Sequence, residues 1–148
     1  MKRIFLTGLS VLLVGSGARA QMNNADLKWG AAPDGLPKGA QLAVLSGDPG
    51  KEGMFTIRLK FPANYAVPPH QHPSDELVTV VDGKVALGMG DTLDKTKAAT
   101  LRQGGYAVAP AKMNHYAFTD SGATLQITSH GPFAIKYVNP KDDPRGAK

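Results

Sequence analysis

Hydrophobic and polar residues alternate along most of the chain with the two-residue period of half-buried strands, and almost nowhere with the period of a helix face. The clearest run is Met54 to Phe61, where Phe55, Ile57, Leu59 and Phe61 are separated by Thr56, Arg58 and Lys60. Such alternation sends one set of side chains inward and the other to water. Gln41 to Leu45 is a shorter run, closed by the turn residues Ser46 to Gly50. Leu77 to Val81 and Lys84 to Met89 flank Asp82-Gly83, a dipeptide that favours the tight turn of a hairpin. Tyr106 to Ala109, Asn114 to Thr119, Thr124 to Ser129 and Phe133 to Val138 follow. Between them Asp91 to Thr100 makes a polar excursion with room for one helical turn. About nine short strands at spacings of roughly eight to twelve residues predict an all-β sandwich or barrel.

The flanks read differently. Residues 1–20 combine a basic start at Lys2 and Arg3, an apolar run from Ile4 to Val14, and a small-x-small ending at Ala18-Arg19-Ala20. That is the layout of a cleaved signal peptide, and its apolar run falls short of the ~20 residues that cross a bilayer. Export to a periplasmic or extracellular space is the expectation, with no membrane attachment after cleavage. Residues 21–38 form a polar, turn-rich arm whose Trp29 is expected to pin it onto the domain at 39–139. Residues 140–148 read as a charged, flexible tail.

At 148 residues and 42% hydrophobic, the chain can bury one ordinary core. It has no cysteine, so disulfides, thiolate metal sites and cysteine nucleophiles are all excluded. The net charge is +5, but three of the 17 basic residues, Lys2, Arg3 and Arg19, lie in the leader. Removing them leaves 14 against 12 acidic residues, or +2, without a basic stripe. Nucleic acid is therefore not an expected partner.

Three of the four histidines fall into a pattern. His70 and His72 are two apart and so share one face of an extended strand, Glu76 follows beyond Pro73-Ser74-Asp75, and His115 lies on a distant strand that a barrel can bring across. Three neutral imidazoles and a carboxylate suit one divalent transition metal, among them Fe, Mn, Zn, Ni and Cu, better than calcium or magnesium. Asp75 and Glu76 point to opposite faces, so Asp75 is read as a solvated neighbour. His130 fits no part of the pattern and is read as a loop residue.

These residues resemble the cupin family. Its first motif is glycine, five residues, His-x-His, three or four residues, glutamate, six residues, glycine. Here Asn64, His70, His72, Glu76 and Gly83 stand at those places, and asparagine tolerates the left-handed backbone that glycine supplies. The second motif is matched by Gly104, Pro110 and His115, with Lys112 in place of a glycine and Thr119 in place of an asparagine. The resemblance spans about residues 39–139. It implies a double-stranded β-helix, the cupin or jelly-roll barrel, with the metal held inside by His70, His72, Glu76 and His115. It also implies a homodimer, to which residues 21–39 are placed to contribute.

Four ligands on a six-coordinate ion leave room for a substrate. The expected function is an exported metal-binding cupin acting on a small organic molecule, with oxygenase-like oxidoreductase chemistry ahead of isomerase, lyase or hydrolytic chemistry. The alternative is a non-catalytic module that binds or senses a metal or small ligand. Phe55, Ile57, Leu87, Met89 and Phe118 are the expected apolar walls of the site, and Tyr65, Tyr106 and Tyr116 are read as packing residues. No catalytic residue beyond the ligand set is identified.

Overall fold

The computed structural model describes residues 22–146; the expected leader at 1–20 lies outside them. Ten strands run in chain order: β1 (Gly30–Ala31), β2 (Gln41–Ser46), β3 (Gly53–Phe61), β4 (Tyr65–Gln71), β5 (Glu76–Met89), β6 (Ala99–Arg102), β7 (Tyr106–Ala109), β8 (His115–Thr119), β9 (Ala123–Gly131) and β10 (Lys136–Tyr137). All pair antiparallel in the order β1-β2-β3-β9-β5-β8-β4-β10, with β6 and β7 added to β5. The sheet curls on itself, as expected of an all-β barrel.

The alternation read from Met54 to Phe61 is realised on β3, whose Phe55, Ile57, Leu59 and Phe61 are all buried. They meet Val78, Val80 and Val85 of β5 and Leu125 and Ile127 of β9 in one core. Each such side chain contributes about 1.5–3 kcal/mol when fully removed from water.

The hairpin expected at Asp82-Gly83 is not formed. β5 runs through it, pairing with β9 and β7 over its first half and with β6 and β8 over its second. A two-residue turn of the favoured type needs positive φ at both central residues. Here Gly83 has φ +75, while Asp82 is not among the positive-φ residues. A register shift between Val80 and Asp82 makes a bulge instead, and it bends the strand from one sheet into the other. A side chain at 83 would meet the Gly122 carbonyl at 2.5 Å, so only glycine fits the bend.

Two other expectations are also corrected. The strand read over Phe133 to Val138 shrinks to β10, because Phe133 and Ile135 pack against the core and the Ala134 carbonyl is taken by a histidine. The excursion after Met89 is built of turns with no helix, and β6 emerges from it unannounced.

The arm is held at several points. Trp29 is half-buried with the Lys60 ammonium 5.8 Å from its ring centre, but Leu27 is the arm's buried residue. Asn24 accepts a hydrogen bond from Arg58 at 2.8 Å. Two phenols reach the same segment from the barrel: Tyr65 donates to the Pro37 carbonyl at 2.6 Å and Tyr137 to that of Gly35 at 2.8 Å. After a short 3-10 turn at Pro140–Asp142, Arg145 returns to donate to the Ile135 carbonyl at 2.9 Å.

Candidate metal centre

Local backbone chemistry sets the ligand-bearing residues in place. His70 is the last residue but one of β4, His72 follows the strand, Glu76 opens β5, and His115 opens β8 directly across from His70. Pro68 and Pro69 lie where the β4–β8 register shifts between Val67 and His70, as expected of residues that lack an N–H for the ladder. Asn64 and Lys112 are the two non-glycine residues with positive φ among those described, at +57 and +62. Both stand where the resemblance called for glycine, so the turns survive substitution. Lys112 also donates its N–H to the His72 carbonyl at 2.8 Å, tying the two halves of the site together.

Asp75 does the same from the other side. It is exposed, yet its carboxylate accepts the Ala111 N–H at 2.7 Å and its carbonyl accepts the Ser129 hydroxyl at 2.7 Å. It clasps the loop that leads to His115, a role beyond the solvated neighbour read from sequence.

The structure brings three of the four expected ligands, His70, His72 and His115, to one buried point, and sets Glu76 against two of them. Ring centres lie 4.3 Å apart for His70 and His115, 4.9 Å for His70 and His72, and 5.2 Å for His72 and His115. One ligand nitrogen from each falls within 4.8 Å of the others, and this buried trio can hold a metal ion. Glu76 Oε2 approaches Nε2 of His115 at 3.4 Å and Nε2 of His72 at 3.7 Å. His130 stays outside, exposed at the end of β9.

The orientation of the rings is fixed by backbone acceptors. His70 Nδ1 lies 2.7 Å from the Pro68 carbonyl, His72 Nδ1 2.7 Å from that of Ala134, and His115 Nδ1 3.0 Å from that of Met113. A carbonyl oxygen only accepts, so in each contact Nδ1 carries the proton and donates it. Each Nε2 is then left with its lone pair facing the centre, the tautomer a metal ligand needs. Phe133 stacks on His72 at 4.6 Å and is braced edge-on by Phe55 at 5.3 Å.

The electrostatics keep His70 and His72 in the neutral form that binds a metal and draw His115 toward Glu76. Burial, together with His115 and His72, pushes His70 down to about 3. Burial also lowers His72, against the pull of Glu76. Burial acts against charge on His115 too, but the Glu76 carboxylate outweighs it and the group is raised. For Glu76 itself, burial works upward while the three imidazoles outweigh it, so its carboxyl is lowered. His115 Nε2 is buried with no hydrogen-bond partner. An unpartnered buried lone pair beside a carboxylate is costly, and an ion at the centre relieves it. The residues present thus fit a divalent transition metal.

A cavity of about 340 Å³ opens beside the centre. Leu59, Val67, Val78, Leu87, Ile127 and Phe133 are among its apolar walls, and Arg145 stands at its edge. Of the walls expected from sequence, only Leu87 lines it. Phe55 stands behind Phe133, Ile57 is sealed in the core, Met89 is half-exposed on the outside, and Phe118 carries the Lys95 ammonium at 5.1 Å. Tyr65, Tyr106 and Tyr116 do not line it. Phe133, the Ala134 carbonyl and Arg145 were not legible as site residues, because nothing in their sequence spacing connects them to the histidines.

Comparison with known proteins agrees with the fold. A family model described as a domain of unknown function, DUF4437, matches residues 19–136. A putative germin-like protein 9-2 of Oryza sativa subsp. japonica is 43% identical over 72 residues, 48% of this chain and 34% of that protein. Germin-like protein 9-3 of the same rice is 39% identical over 83 residues, 55% of this chain and 39% of its own length. The chain thus spans well under half of the curated relatives it matches. Among solved structures, the polyketide cyclase RemF from Streptomyces resistomycificus superposes with a TM-score of 0.70 at 17% identity, covering 84% of this chain and 88% of that one. An RmlC-like cupin from Shewanella frigidimarina gives 0.59 at 15%, covering 76% and 91%.

Proposed function

The chain belongs to the DUF4437 family and to the cupin superfamily, and from that premise we propose that it is a metal-dependent enzyme acting on a small, largely apolar organic molecule. His70, His72, Glu76 and His115 hold one divalent transition ion, and the cavity beside them receives the substrate. The strongest support is the trio of Nδ1-to-carbonyl hydrogen bonds, which aims three Nε2 lone pairs at one point next to Glu76. An ion bound there supplies Lewis acidity and, with iron or manganese, redox chemistry. The chain's own residues fix the ligand geometry, exclude water with apolar walls, and keep His70 and His72 neutral at physiological pH.

Oxygenase-like oxidation is the reaction class proposed first. Lewis-acid chemistry without oxygen is the second reading, and it is favoured by the structural likeness to a polyketide cyclase. Oxygen uptake during turnover separates the two. Elemental analysis of the purified protein tests the centre itself: about one ion per chain is expected, sharply reduced in His72→Ala and His115→Ala and unchanged in His130→Ala. Full metal content in the first two variants refutes the proposal. Export after cleavage at Ala20 and a homodimer belong to the same proposal, and intact mass with sedimentation of the exported protein tests them.

A further inference from the structure

We propose that the cavity selects ligands that carry a carboxylate, and that Arg145 is the residue that recognises it. The inference shares the chamber of the proposed function but does not need the metal.

The argument starts from the chemistry of the walls. Apart from the three histidines and Glu76, the described residues of the lining include no hydroxyl, amide or acidic side chain, and Arg145 is the one cationic group among them. A polyol or sugar entering this chamber would lose its water with no side-chain partners outside the centre, at a cost for each unpaired group. A ligand suited to it is apolar over most of its surface and polar at two places, the centre and the guanidinium.

Arg145 has donors to spare. Its Nε and Nη2 grip Asp143 at 2.8 and 2.7 Å, and Nη2 also donates to the Ile135 carbonyl. Among the described residues Nη1 makes no hydrogen bond, which leaves two N–H groups of a permanently charged fork. The Ile135 contact holds the fork in place before any ligand arrives, while Asp143 competes for its charge. Gly35 faces it: a Cβ built there would lie 3.9 Å from Nη1 and 2.8 Å from Ile135. A side chain at 35 would crowd Ile135 and take up space beside Nη1. A carboxylate placed there gains charge-assisted hydrogen bonds while its apolar body lies along the walls.

Titration of the full chain with hexanoate and its neutral isostere hexanamide tests this, with zinc bound and after metal removal. Hexanoate is expected to bind at least about tenfold tighter, in line with a charge-assisted hydrogen bond over a neutral one. The preference should persist without metal and fall to near unity in Arg145→Gln. Asp143→Asn frees the guanidinium from its competing carboxylate, so it should strengthen hexanoate binding several-fold, an effect that loosening of the fold cannot produce. An unchanged preference in Arg145→Gln, equal loss of both ligands in that variant, absence of hexanoate binding, or a preference that vanishes with the metal would each overturn the inference. Failure of the metal reading shows separately, as absence of a bound ion in elemental analysis.

Discussion

Glu76→Gln isolates the carboxylate's share of metal binding, because it keeps the shape of the side chain and removes its charge. Glu76 Oε2 lies 3.4 Å from His115 Nε2 and 3.7 Å from His72 Nε2, so it borders the same point as the imidazoles. Losing one anionic ligand of four is expected to weaken binding about 100-fold, at the upper end of what removal of a mere supporting group costs. At a free metal concentration of ~100 times the wild-type Kd, binding stabilises the native protein by about 2.7 kcal/mol. For a domain of about 125 residues the unfolding entropy is ~0.26 kcal/mol/K, which makes the metal-induced rise in Tm about 10 °C. At the same concentration the variant gains ~0.4 kcal/mol, or about 2 °C. The assay is thermal unfolding of each protein with and without cobalt(II), and the quantity compared is the metal-induced difference. That choice matters because Glu76 also stabilises the metal-free fold: its lowered pKa contributes stability at neutral pH that is lost as the pH falls through the folded value. A full rise in the variant would remove Glu76 from the ligand set and leave the three histidines alone.

Three further outcomes follow from the geometry. Since His70 is pushed down to about 3 in the native state, against about 6.5 for a free imidazole, the unfolded metal-free chain takes up a proton that the native one refuses across that window. Stability in urea should therefore fall by up to about 1.4 kcal/mol per pH unit below 6 on this account, and His70→Gln should flatten that slope; an unchanged slope refutes it. Asp75→Ala removes the carboxylate that accepts the Ala111 N–H, and should cost about 1 kcal/mol in urea unfolding and weaken metal binding roughly tenfold, as loss of a supporting hydrogen bond does. Wild-type affinity in that variant would show that the clasp does not position His115. Gly83→Ala forces a Cβ toward the Gly122 carbonyl at positive φ and should cost about 2–3 kcal/mol in chemical denaturation, whereas a hairpin turn at this place would tolerate it better.

Structure is legible in the sequence where a local rule coincides with the tertiary outcome. Period-2 alternation identified β3 because its inward residues are also its apolar ones. The spacing of His70, His72 and Glu76 was readable because strand geometry alone puts the first two on one side. Asp82-Gly83 misled because a bulge and a hairpin both use a glycine at positive φ, and the choice between them is made by β9, far away in the chain. Lys112 illustrates the converse: a residue that disfavours its backbone conformation is kept there by hydrogen bonds that no local pattern encodes. Arg145 lay in a charged stretch whose composition says loose, and only its contacts with Asp143 and Ile135 make it part of the chamber.

The passage of β5 through both halves of the barrel has a mechanical corollary. One covalent strand crosses from wall to wall, so the walls cannot slide apart or spread without unravelling ladders on both sides of Gly83. The girth of the chamber is thereby fixed. Guests of different bulk must be accommodated by displacement of the roofing segments around Gly35 and Ile135, which rest on side-chain contacts and a few hydrogen bonds in place of a continuous ladder.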